Sequence, residues 1–176
     1  MKRPTRRTGS AIANPDHEGK VLLGEKWAGC YAGIAAGIVA SLFELASWAL
    51  FTHALPGIFL RDVRFAAAIV MGPQALSSID TFDWTTFLVA TLVHFALCIV
   101  YGLILASLIR RLRAIPSLLA GSAFGLGLYL INMHGFTILF PWFEAARDWI
   151  TITAHVTFGV TAAGFYTLVV KLRAPK

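Results

Sequence analysis

Four apolar runs decide what this chain can become. Residues 27–51, 84–109, 115–140 and 149–170 are almost wholly hydrophobic, and the only acidic or basic charge within them is Glu44. At about 1.5 Å per residue, each run covers the roughly 30 Å of hydrocarbon in a bilayer. A backbone in lipid must satisfy its own amides and carbonyls, and for runs of this length that means α-helix. The expected fold is therefore an all-α integral membrane protein with four transmembrane helices. Composition agrees: charged residues make up 14% of the chain and mean hydropathy is +0.71, whereas soluble domains carry about 25% charge.

The ends of the runs carry the punctuation that such helices need. Residues 1–22 are polar and basic and read as a disordered cytoplasmic tail, leaving 23–173 as one membrane domain. Arg6-Arg7 resembles a twin-arginine signal, but the apolar run after it starts near residue 27 and is too long for a signal h-region. The first run is thus expected to stay in place as a helix. Residues 61–72 are too short to cross and read as an interfacial segment between the first and second helices, with Arg61, Asp62 and Arg64 at one end. Asp80 and Asp83 offer capping chemistry before the second run, Arg110, Arg111 and Arg113 close it, and Pro116 opens the third. Trp84, Trp142 and Trp149 stand at run ends as interfacial anchors. Cys30 and Cys98 fall inside apolar runs, form no C-x-x-C pair and read as free buried thiols.

Charge sets the orientation. With both termini inside, twelve Lys or Arg lie on the inner side and only Arg61, Arg64 and Arg147 on the outer. The positive-inside rule then makes both termini cytoplasmic. The net charge of +6 is explained by anionic headgroups and topology, so the expected partner is a lipid bilayer and not nucleic acid.

Within hydrocarbon, helices meet through small residues, and each run has such a row at spacing four. The rows are Gly29, Gly33, Gly37 and Ser41; Cys98, Gly102 and Ala106; Gly121 and Gly125; and Gly159 with Ala163. Followed outward along the same helix faces, they lead to Glu44, His94, Asn132 and His155, with His134 nearby. At about 1.5 Å per residue these polar groups lie about 6 to 15 Å below the outer surface. The expectation is a bundle sealed by small residues on the cytoplasmic side and opened by a polar cluster toward the outside.

Ionisable groups at such depth mark proton, ion, metal or cofactor handling. Each also has a plainer reading. Glycine rows mean packing, Asn132 serves as interhelical glue, His134 and His53 lie near the interface, and His94 and His155 serve equally as hydrogen-bonded core histidines. His94 and His155 are also the candidates for a transition metal or for a bis-histidine haem between the second and fourth helices. A proton-responsive role asks for less, needing only the Glu and His groups. No phosphate loop, nucleophile elbow or catalytic carboxylate pair is present in the sequence, so no enzyme is expected.

A glycine- and alanine-rich first run ending in an acid (Gly33 to Glu44), His94 in the outer half of the second, Leu118-Leu119-Ala120-Gly121 opening the third, and Pro141-Trp142-Phe143-Glu144 leading to His155 resemble the small bacterial inner-membrane proteins of the YagU type. The resemblance implies a multi-pass protein of the bacterial plasma membrane, in a family associated with acid tolerance. Three functions stay open: a proton- or ligand-responsive membrane protein handling a small solute or ion, an accessory or assembly subunit of a homo-oligomer or larger membrane complex, and a haem- or metal-binding redox subunit.

Overall fold

A computed structural model describes residues 15–77 and 81–173. All regular structure among them is helical, and four helices are long and apolar enough to cross a membrane: Lys26–Phe51, Trp84–Ile109, Ala114–Ile138 and Trp149–Val170. The helices are α1 (Pro15–Phe51), α2 (Gly57–Met71), α3 (Trp84–Ile109), α4 (Ala114–Leu130) and α5 (Trp149–Arg173). α1 starts inside the stretch expected as a tail. Pro15 suits a first helical turn. The rest of that expected tail, residues 1–14, lies outside the described residues.

The third span is not one continuous α-helix to residue 140 as its apolar pattern suggested. After Leu130 the backbone widens into a π-turn at Ile131–Gly135 and tightens into 3-10 turns at Phe136–Ile138 and Pro141–Ala146. Irregular backbone at membrane depth is tolerated where protein groups satisfy it. Arg147 does so here, donating from Nε to the Met133 carbonyl at 2.6 Å and from Nη2 to Thr137 Oγ1 at 2.9 Å.

The spans pack as a row. α3 lies against α1, α1 against α5, and α5 against α4, while α3 and α4 barely touch although they are consecutive in sequence. Directions alternate, so the α1 start, the 110–113 turn and the α5 end share one face of the bundle. α2 and the turns at 73–76 and 131–146 gather at the other. A helix flanked on two sides needs two small faces, and α1 has them. Its glycine row meets α3, and the row Ala28, Ala32, Ala36, Ala40, each no more than 8% exposed, packs into the core with Ala162, Ala163 and Phe158.

Two seams bring backbone to backbone. An added Cβ at Gly33 would collide with the Cys98 carbonyl, and one at Gly102 would lie 2.6 Å from the Gly29 carbonyl oxygen and the Gly33 Cα. The second hairpin repeats the contact, with Gly125 against the His155 carbonyl and Gly159 against that of Gly121. Such approaches are how helices gain contact area where lipid removes the hydrophobic drive to associate.

Short polar contacts fix α2 and its neighbours. Arg64 is only 6% exposed; it donates to the Ala75 carbonyl at 2.9 Å and to the Thr81 carbonyl at 2.7 Å. Trp142 Nε1 donates to the Phe65 carbonyl at 3.1 Å, and the Phe65 and Phe143 rings meet edge to face.

Candidate functional site

The gap between α3 and α4 holds a cavity of about 420 Å³. α1 and α5 form its floor, α3 one wall, the irregular 131–140 stretch the other, and α2 its cover. Most lining residues are apolar. Of the polar cluster expected from sequence, Glu44, His94, Asn132 and His155 all line it, joined by Ser41, Asp62, Tyr101 and Thr151. His134 does not: it is exposed and packs its ring against Tyr129, 5.6 Å between centroids. Residues two apart on a helix point to nearly opposite sides, so with Asn132 facing inward His134 faces outward.

A directed chain of hydrogen bonds runs along one wall. His155 Nδ1 lies 2.8 Å from the Thr151 carbonyl, which only accepts, so Nδ1 carries the proton in the neutral ring and Nε2 offers its lone pair. Asn132 Nδ2 donates to that lone pair at 3.3 Å, and Asn132 Oδ1 accepts from the Tyr101 hydroxyl at 3.0 Å. This chain is the bond that spans from α3 to the far side of the gap. His94 makes a separate pair: its Nε2 lies 3.3 Å from Ser41 Oγ and 3.5 Å from Cys98 Sγ. Gly37 leaves room for the ring, since a Cβ there would sit 3.3 Å from the same nitrogen.

At the end of the cavity nearest α2, acids gather. Asp148 accepts from the Thr151 amide at 2.9 Å and lies 3.2 Å from the Thr151 hydroxyl. The same hydroxyl reaches Glu44 at 3.5 Å. Asp83 caps α3 in the same way, accepting from the Thr86 amide at 2.7 Å, and its carboxyl is held below the usual range by the Thr86 hydroxyl and amide. Asp62 pairs with Arg61 at 2.8 Å, and the Arg61 guanidinium sits 5.5 Å above the Phe65 ring. Burial pushes the Asp62 carboxyl up to about 6; Asp148 adds to this and the Arg61 pair opposes it.

The raised Asp62 carboxyl makes a testable statement about pH. The folded state holds the Asp62 proton up to about 6 and the unfolded chain releases it near 3.8, so between those values folding takes up a proton and stability falls as pH rises. Above about pH 6 the full penalty remains. Asn at this position cannot ionise. Thermal midpoints in mild detergent should therefore favour Asp62→Asn over wild type more at pH 7 than at pH 4. A difference that does not change with pH would remove Asp62 from the account.

Among the described residues no group of three or more His, Cys, Asp or Glu converges in a metal-binding geometry. Haem ligation by His94 and His155 is poorly matched too. Both nitrogens of His155 are engaged with protein groups. Trp84 and Trp149 are 69% and 54% exposed at the α2 end of the bundle, while Trp142 is tied to α2.

Sequence reasoning passed over Tyr101 and Thr151 and took Ser41 only as the last member of a packing row, although the hydroxyls of all three connect the groups it did find. Their only trace in the sequence is spacing. Ser41 is four after Gly37, Thr151 four before His155, and Tyr101 three after Cys98, each near the inward stripe of its helix. The chain matches no protein-family model, no curated protein and no solved structure.

Proposed function

We propose that this is a multi-pass protein of the bacterial plasma membrane that binds a small, largely apolar molecule in the α3–α4 cavity. In this reading both termini are cytoplasmic and the cavity lies in the outer half of the bilayer, following the charge bias of the turns. Its role is binding rather than catalysis, and the ionisable groups in the wall make occupancy responsive to protons. The supporting observation is the cavity itself. Its volume of about 420 Å³ lies in the range of small-molecule sites, and an apolar lining with a few convergent polar groups is what such sites share.

Filling the cavity tests this. Ala154 is 5% exposed and lines it, so Ala154→Phe should occupy part of the space. In mild detergent, lipophilic compounds of positive, neutral and negative charge are screened for a rise in thermal midpoint. At least one should stabilise wild type by several degrees, and the rise should vanish in Ala154→Phe. If no compound stabilises wild type, or the variant responds equally, the cavity is not a ligand site.

A further inference from the structure

The mouth and the charge of the cavity together narrow its ligand. Resting on the binding role just proposed, we infer that the occupant is a lipophilic monocation, such as an amphipathic amine, that enters sideways from the bilayer and sets its positive charge beside Glu44.

The mouth opens to lipid. Leu97 on α3 and Phe136 on the facing 3-10 turn line the cavity, yet are 38% and 42% exposed. They stand on opposite sides of the gap where α3 and α4 fail to meet, and both belong to segments apolar enough to cross a membrane. A solute passing between them comes from hydrocarbon. The ligand must therefore partition into the bilayer, which excludes small hydrophilic solutes.

Charge sets the sign. Among the described residues Glu44 reaches one hydrogen-bond donor, the Thr151 hydroxyl at 3.5 Å, which Asp148 shares at 3.2 Å. The basic groups at this end are engaged elsewhere. Arg61 is held by Asp62 at 2.8 Å, Arg64 by the Ala75 and Thr81 carbonyls, and Arg147 by Met133, Thr137 and Glu144. His94 is held by Ser41, and His155 by Thr151 and Asn132. With Asp62 neutralised by Arg61, Glu44 is the carboxylate that, among the described residues, faces the cavity without an ion-pair partner. A carboxyl in hydrocarbon is costly unless it is protonated or paired, so the ionised form favours a ligand bearing one positive charge and repels an anion. The walls add to this, because Phe65, Phe136, Phe140, Phe143 and Phe158 line the same space and aromatic faces attract organic cations.

Binding of the cation requires ionised Glu44. Asp62 and Arg61 face this region from α2, Asp148 from just before α5, His155 from α5, and His94, Cys98 and Tyr101 from α3. Protonating any of the carboxylates or either histidine adds positive charge, so affinity should rise with pH.

The test uses three probes of similar size: tetraphenylphosphonium, the neutral triphenylphosphine oxide, and tetraphenylborate. Binding to the protein in zwitterionic lipid nanodiscs is measured by equilibrium dialysis against protein-free nanodiscs. The phosphonium should bind one per chain, and more tightly as pH rises from 5 to 8. Glu44→Gln should weaken it by about tenfold or more, the scale of one lost charge pair. Glu44→Asp, which keeps the charge, should retain most of the affinity and shows that loss in the Gln variant is not misfolding. Equal binding of the phosphine oxide, or no effect of Glu44→Gln, overturns the cation assignment and leaves the cavity role standing. If none of the three probes binds, the assignment also falls, and the Ala154→Phe comparison then decides whether the cavity binds anything.

Discussion

Gly159→Leu is expected to prevent α4 and α5 from closing. The new side chain would start inside the Gly121 carbonyl and 2.9 Å from the Gly125 amide nitrogen, and both obstacles are backbone, so no rotamer relieves the clash. Overpacking at a seam this tight should cost about 3 kcal/mol or more. Loss of the seam also removes van der Waals contact that lipid does not replace in kind. The variant should elute from size-exclusion chromatography mostly as aggregate, with any folded fraction melting well below wild type. Gly127→Leu is the control, because a Cβ there meets nothing within 4 Å and leucine is the better helix former. If the two variants elute and melt alike, the seam does not hold the bundle together.

The second large effect is expected at Asn132. Leucine there would strand the Tyr101 hydroxyl and His155 Nε2 together, each losing the partner described above. An unsatisfied polar group away from water costs about 1–3 kcal/mol, so Asn132→Leu should destabilise by about 2 kcal/mol or more. The chain of bonds predicts non-additivity as well. Tyr101→Phe removes one of the stranded groups, and in the double variant the two losses should overlap by about 1 kcal/mol. Unfolding in mixed detergent micelles measures all three variants. Strictly additive losses would mean that Tyr101 and Asn132 do not act as a pair.

The four spans were legible because length and hydropathy in a bilayer leave few alternatives. The groups that line the cavity were partly legible as well: carrying each small-residue row outward leads to Glu44, His94, Asn132 and His155, since spacing four keeps a helix face. His134 was grouped with them by depth and not by face: it lies two residues after Asn132, more than half a turn around the helix, and so points away from the cavity. Gly135 and Pro141 were available as signs of irregularity, but neither fixes where a helix changes type. The row order of the helices left little mark on the sequence. It shows only in α1, where the alanine stripe beside the glycine stripe means two neighbours instead of one. Arg64 was counted for topology alone, and its grip on two carbonyls depends on turns whose path the sequence does not dictate.

α2 acts as a brace across one end of the gap. It packs along α3, and the bond from Trp142 to the Phe65 carbonyl, with the edge-to-face Phe65 and Phe143 rings, ties it to the turns that follow α4. Two spans that barely touch are thus held at a fixed spacing by a third element. The width of the cavity at that end depends on contacts that neither α3 nor α4 makes with the other.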